Sequence, residues 1–198
     1  APGGDDLAFS GEGTRSPSLQ NNPNPDGNGG GSQHVSSVGG GNATTVTGGE
    51  GTVGSEDGNA TLSLLIMGGG GGACGENSSS GAGGNGGCVV SIDVRTYLQG
   101  VNGVIFNNGN DGNPATRGGS GGAGGCTRLV AFQANLGTGL VAVRGNRGNN
   151  QTNNADASHG RIRVEVCNIT DVATYVTTPT ASVQNGGNTW CFVPGQII

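Results

Sequence analysis

The chain has no lysine: its eight cations are all arginines, spread through 198 residues against 13 carboxylates. A net charge of −5 with scattered arginines offers no basic stripe, so nucleic acid is not an expected partner. Without lysine the glycine runs also lack the GxxxxGK[ST] of a phosphate loop. No apolar run approaches the roughly 20 residues that a membrane-spanning helix needs. The longest, LSLLIM at 62–67, has the length of a strand. Histidine is limited to His34 and His159, and none of the five cysteines forms CxxC, so no zinc pattern is present and no metal or cofactor is expected.

The shortage extends to catalysis. A Ser–His–Asp triad would have to be built on His34 or His159, and the Asp156 and Ser158 beside His159 are chain neighbours that extended backbone points apart. The carboxylates are scattered. Adjacent pairs such as Asp5–Asp6 and Glu56–Asp57 are not the facing pair that glycoside hydrolysis requires. NNGNDGNP (107–114) and NPNPDGNGG (22–30) are rich in oxygen ligands, yet neither follows calcium-loop spacing, and both fit Asn/Gly turns. No enzyme class is expected.

What is abundant is backbone. Glycine fills 45 positions and asparagine 22, while hydrophobic residues reach 31% and aromatic residues 4%. That composition resembles a disordered chain's, except that charged residues are only 11% and the apolar residues gather into short β-like runs. VSSV, NATTVT and ATLSLLIM are cut apart by glycine clusters, which is strand-and-turn punctuation. Val90, Ile92 and Val94 alternate with Ser91, Asp93 and Arg95; Ile162, Val164 and Val166 alternate with Arg161, Arg163 and Glu165. Each such strand is expected to bury one face and wet the other.

An internal repeat organises these runs. GAGGNGGC (81–88) leads into VVSIDVRTYLQGVNGVIFNNGNDG, and 38 residues later GSGGAGGC (119–126) leads into TRLVAFQANLGTGLVAVRGNRG. A worn third copy starts at ASHG (157–160) and continues as RIRVEVCNITDVATYVTT. Each unit reads as a glycine run, a strand, a glycine-bearing link, a second strand and an Asn/Gly/Arg loop. A flexible linker has no reason to recur directly before a strand. The runs, of which GGGGGACGENSSSGAGGNGGC (68–88) is the longest, are therefore expected to be extended polyglycine-II segments. Lacking Cβ atoms, such segments can approach closely and pair their N–H and C=O groups with one another.

Cysteines 74, 88, 126, 167 and 191 are read as disulfide staples for a chain short of core material, which points to an oxidising compartment. Cys167 with Cys191 is the preferred pair, since both lie in apolar strand-like runs. A second bridge would come from Cys74, Cys88 and Cys126, among which spacing does not choose. Asn-x-Ser/Thr sequons at Asn42, Asn59, Asn77, Asn150 and Asn168 are candidate glycan sites in turn-like settings. Residues 1–33 stand apart as an extended N-terminal arm that cannot bury itself. Its short strand LAFS (Leu7, Ala8, Phe9) is a candidate donor to a sheet edge on another copy. The opening APGG is a small-residue start of the kind that secretory processing could leave, and a trimmed chain would read the same.

The alternation of glycine runs with short β-segments over roughly 68–166 resembles polyglycine-II sandwich proteins such as the glycine-rich adhesins at phage tail-fibre tips. HGRIRVEV after glycine-rich repeats is similar to secreted glycine-rich repeat proteins of bacteria. The likeness lies in composition and order, and this chain departs from the tail-tip pattern in its long Asn-rich loops and well-developed strands. The expected fold is all-β: a glycine-rich β-sandwich or β-solenoid over residues 34–198, with repeat units near 81–118, 119–156 and 157–180. The expected role is a non-catalytic subunit of a secreted or cell-surface fibre, polymerising with copies of itself. The alternative is an adhesin whose Asn/Gly loops, including 107–117 and 145–156, bind surface glycans. A regular ice-binding surface is a third, weaker option.

Overall fold

The computed structural model describes residues 40–43, 56, 58–71, 83–98, 103–112, 119–135, 140–142, 157–170, 176–178 and 182–185. All regular secondary structure among them is strand: β1 (Val89–Leu98), β2 (Val104–Phe106), β3 (Cys126–Asn135), β4 (Leu140–Ala142), β5 (Arg161–Thr170), β6 (Val176–Thr178) and β7 (Ser182–Asn185). The all-β expectation holds for these residues. The donor-strand residues Leu7, Ala8 and Phe9, and the arm that carries them, lie outside the described residues.

The chain alternates between two sheets. Strands β1, β3, β5 and β7 form one in that order, and β2, β4 and β6 form the other. Every pairing is parallel. Parallel neighbours need a crossover of a dozen or more residues. Here the crossover between two long strands contains a short strand of the other sheet and a glycine run, so the repeat unit seen in the sequence is the unit that stacks.

In-register stacking puts like side chains in rows. Ile92 lies opposite Leu129, Leu129 opposite Val164, and Val164 opposite Val183. The next row is Val94, Ala131 and Val166. Leu129, Ala131, Ala134, Ile162, Val164 and Val166 form the buried cluster, with Ile92, Tyr97 and Ile105 packed against it. Ile105 comes from β2, so one side chain of the short sheet packs against this cluster. Its neighbours Val104 and Phe106 point away and are 51% and 63% exposed.

Three expectations change. The polar face of β5 is not wet. Glu165 is 8% exposed, with Arg128 Nε at 3.0 Å and Arg163 Nε at 3.5 Å from its Oε1. The register sets Arg128 beside Arg163 and Val130 beside Glu165, so two guanidinium groups lie over one carboxylate and cover this face. LSLLIM at 62–67 is not a strand. Asn59 ties a turn there: its carbonyl accepts from Leu62 N–H, its Oδ1 accepts from the Thr61 hydroxyl and Ser63 N–H, and its Nδ2 donates to Ser63 Oγ. Leu62 is left buried with φ 49°. Third, aligning the glycine runs by their cysteines pairs Cys88 with Cys126, whereas the ladder places Cys126 opposite Val89. Side chains alternate along a strand, so that one-residue offset puts the two cysteines on opposite faces.

Candidate functional site

The glycine segments 83–88, 119–125 and 157–160 run straight into β1, β3 and β5. They bond to one another and to segments 40–43, 68–71 and 107–112 through a network of backbone hydrogen bonds. Segment 119–125 is the hub, and every residue in it is buried. Its carbonyls at Ser120 and Ala123 accept from Gly84 and Gly87 (2.9 and 2.8 Å), and its amides at Gly122 and Gly125 donate to Asn110 and Asn107 (2.9 and 3.0 Å). The Ala123 amide donates to Gly69 (2.9 Å), the Gly124 amide to Ser158 (3.1 Å), and the Gly121 carbonyl accepts from Gly40 (3.2 Å). The five surrounding segments also bond in succession. Asn110 donates to Asn85, Gly68 and Gly71 donate to Gly87 and Gly84, Gly69 donates to Gly41, and Ser158 donates to Gly40. The runs are thus an ordered array of bare main chain; of the run 68–88, residues 68–71 and 83–88 are described.

Contacts to a given neighbour recur every third residue, and so does the demand for glycine. A Cβ built at Gly122 would stand 2.0 Å from the Asn85 oxygen, and one at Gly125 1.8 Å from the Cys88 oxygen. Gly109 and Gly112 would strike the Gly122 and Gly119 oxygens, each at 2.0 Å. Real Cβ contacts do not fall under 3.0 Å. Ser120 and Ala123, also three apart, carry side chains at 0% exposure in the same hub. Side chains are therefore admitted in one direction and refused in another.

Two buried asparagines fasten this array to the sheets. Asn107, 3% exposed, ends β2; its Nδ2 donates to the carbonyls of Cys88 (2.8 Å) and Cys126 (3.0 Å) and to Thr127 Oγ1 (3.2 Å), and its Oδ1 accepts from the Cys88 thiol (3.3 Å). It clamps the two adjacent points at which glycine run becomes strand. Asn42, 1% exposed, holds the other side. Its amide N–H donates to Ser158 Oγ (2.9 Å) and its Nδ2 to the Gly124 carbonyl (2.8 Å), with Cys126 Sγ 4.0 Å away. Its Oδ1 is buried without a hydrogen-bond partner. Neither role was legible in sequence, where Asn107 read as a turn and Asn42 as a glycan acceptor.

Other candidates are dispersed. Asn42 has no room for a glycan in the folded chain, because its Nδ2 is buried and engaged. Asn59 and Asn168 are exposed; Asn77 and Asn150 lie outside the described residues. Cys88 and Cys126 are free thiols, so the bridge expected from Cys74, Cys88 and Cys126 does not form between these two. Their one-residue offset turns Cys88 toward Asn107 and Cys126 toward Asn42. Cys167 is disulfide-bonded; Cys74 and Cys191 lie outside the described residues. His159 is exposed before β5, its carbonyl accepting from Ala43 N–H, and His34 is outside the described residues. Among the described residues no group of three or more His, Cys, Asp or Glu stands where it could hold a metal ion. Comparison with protein-family models, curated proteins and solved structures finds no match to this chain.

Proposed function

We propose that this chain is a non-catalytic structural module: a parallel β-solenoid whose turns are strung on a polyglycine-II-like bundle, assembling with copies of itself into a secreted or cell-surface fibre. The bundle reading rests on the three-residue recurrence of contacts around the hub, since three residues per turn is the screw of an extended glycine chain. The solenoid reading rests on the alternation of consecutive strands between two parallel sheets in register.

The observation that carries the assembly reading is the pair of edges at one end of the stack. Among the described residues, β1 and β2 are each the first strand of their sheet, and Val94, Val104 and Phe106 on them are exposed. Unpaired strand edges with apolar side chains invite another chain, and a strand added there gains main-chain hydrogen bonds. Contacts between unlike ends of identical subunits propagate into filaments. A strand from the arm 1–33 of a neighbour is the proposed occupant, and a Cys167–Cys191 bridge and glycans on Asn59 or Asn168 fit the same extracellular setting. The carbohydrate-binding alternative is less well supported, because Asn107, Gly109 and Gly112 of its first loop are built into the scaffold.

Electron microscopy of the purified chain tests this. Filaments are expected for the wild type, and discrete particles for Phe106→Asp and for the chain lacking residues 1–33. Discrete wild-type particles at high concentration would refute the fibre, and filaments from the truncated chain would refute strand donation.

A further inference from the structure

The turn at Asn59 is held on either side and exposed between. Before it, Arg161 Nη2 donates to Glu56 Oε1 at 2.8 Å; after it, Leu62 is 2% exposed. Residues 58–61 and Ser63 are exposed, and Gly58 enters the turn with φ 69°. The Asn59 side-chain amide is oriented by three hydrogen bonds. Its Oδ1 accepts from the Thr61 hydroxyl (2.7 Å) and from Ser63 N–H (3.4 Å), and its Nδ2 donates to Ser63 Oγ (2.9 Å). An amide nitrogen carries two hydrogens. Replacing the second one by a sugar carbon leaves all three bonds in place.

Charge sets this sequon apart from the other four. DGNAT (57–61) has a carboxylate, Asp57, two residues before its asparagine, where Asn42, Asn77, Asn150 and Asn168 have Gly40, Gly75, Gly148 and Val166. Asp57 itself lies outside the described residues. A carboxylate at that position gives an enzyme's cationic side chain a charge-assisted contact, beside the hydroxyl two residues after the acceptor. The fold closes the same position at the other two described sequons. Gly40 is buried, and a Cβ built on it would stand 2.0 Å from the Gly69 oxygen. Val166 is 0% exposed in the apolar core. Asn42 is excluded a second time, since its Nδ2 is buried against the Gly124 carbonyl.

We propose that Asn59 is the N-glycan acceptor of this chain, read by a transferase that requires an acidic residue two positions upstream and uses a polyprenyl-diphosphate-linked oligosaccharide as donor. Nδ2 attacks the anomeric carbon of the donor. The N–C bond forms as the C–O bond to the diphosphate breaks, the diphosphate leaves with the bonding pair, and Nδ2 gives up one proton. The inference rests on the extracellular reading for where the chain meets such an enzyme, and it narrows the two exposed acceptors, Asn59 and Asn168, to one.

The test incubates the folded wild-type chain with an acid-reading oligosaccharyltransferase and its lipid-linked oligosaccharide, then maps the peptides by mass. Asn59 is expected to carry the sugar and the other four sequons to stay bare, with the melting midpoint of the modified chain unchanged. Asp57→Asn is expected to lower modification at Asn59 by about tenfold or more, the loss of one charge-assisted contact, and Asp57→Glu to retain it. A bare Asn59, another sequon modified as fully, or an equal yield from Asp57→Asn each overturns the proposal. So does a lowered midpoint, which would mean that the turn does not hold a sugar. The assay supplies both enzyme and donor, so its outcome does not depend on the compartment. Native material bare at every sequon, beside a positive assay, would count against the extracellular reading instead.

Discussion

Gly122→Ala places one methyl group at the centre of the bundle. Its Cβ would lie 2.0 Å from the Asn85 oxygen, 2.4 Å from the Asn85 carbonyl carbon and 2.8 Å from the Gly86 nitrogen. All three are backbone atoms, so no rotamer change relieves the clash. Segments 83–88 and 119–125 must part by about 1.4 Å to recover the 3.4 Å of ordinary contact. Overpacking of this kind typically costs about 1–3 kcal/mol, and more where nothing can yield. Parting the segments also stretches the bonds from Gly84 and Gly87 to Ser120 and Ala123, each contributing on the order of 1 kcal/mol. Against this, alanine restricts the unfolded chain and returns about 0.4–1 kcal/mol. The net expectation is a loss of about 2–4 kcal/mol, which at roughly 2–4 °C per kcal/mol for a chain of this size lowers the melting midpoint by about 5–15 °C. Urea titration followed by circular dichroism measures it, with Ala123→Gly as companion, expected to lose only about 0.5–1 kcal/mol. In a loose linker both changes would be nearly neutral. A Gly122→Ala chain as stable as the wild type would refute the ordered bundle.

The clamp, the thiols and the edge strand give further tests. Asn107→Ala is expected to cost about 1–3 kcal/mol in the same titration, because it leaves Thr127 and the Cys126 carbonyl buried without their donor; Asn107→Asp should not rescue at neutral pH, since a carboxylate cannot donate to two carbonyls. A thiol reagent on the native chain should modify exposed Cys88 and spare buried Cys126 until denaturant is added, and equal rates would contradict the offset ladder. Burial raises the Tyr97 phenol above its usual value of about 10. The unfolded chain then ionises first, so this contribution to stability is intact below pH ~10 and falls as pH rises toward the folded-state value. Tyr97→Phe should flatten that part of an alkaline stability profile, and an unchanged slope would remove the assignment.

Strand and link order was readable because local patterns encode it. Alternation in RIRVEV marked Ile162, Val164 and Val166, which the fold buries at 3%, 1% and 0% exposure. Recurrence of a glycine run before each long strand marked the repeat. The same signals failed where contacts between distant residues took over. LSLLIM looked like a strand by composition, but side-chain and backbone bonds around Asn59 turn it. Asn42 looked like a surface sequon, but its partners Gly124 and Ser158 come from repeat units far along the chain. The polar face of β5 looked solvated because its cover, Arg128, comes from the neighbouring strand.

By itself the sequence determined that this is a strand-forming chain whose glycine runs repeat in step with its strands, because period-two alternation and glycine's missing Cβ are properties of single residues and their neighbours. Tertiary structure alone decided the parallel register, the one-residue offset that separates Cys88 from Cys126, and the choice of 119–125 as hub. Each depends on which backbone carbonyl meets which amide across the fold. Glycine runs that are nearly identical in sequence carry no local mark of that choice, which is set instead by where the flanking strands can stack their apolar rows.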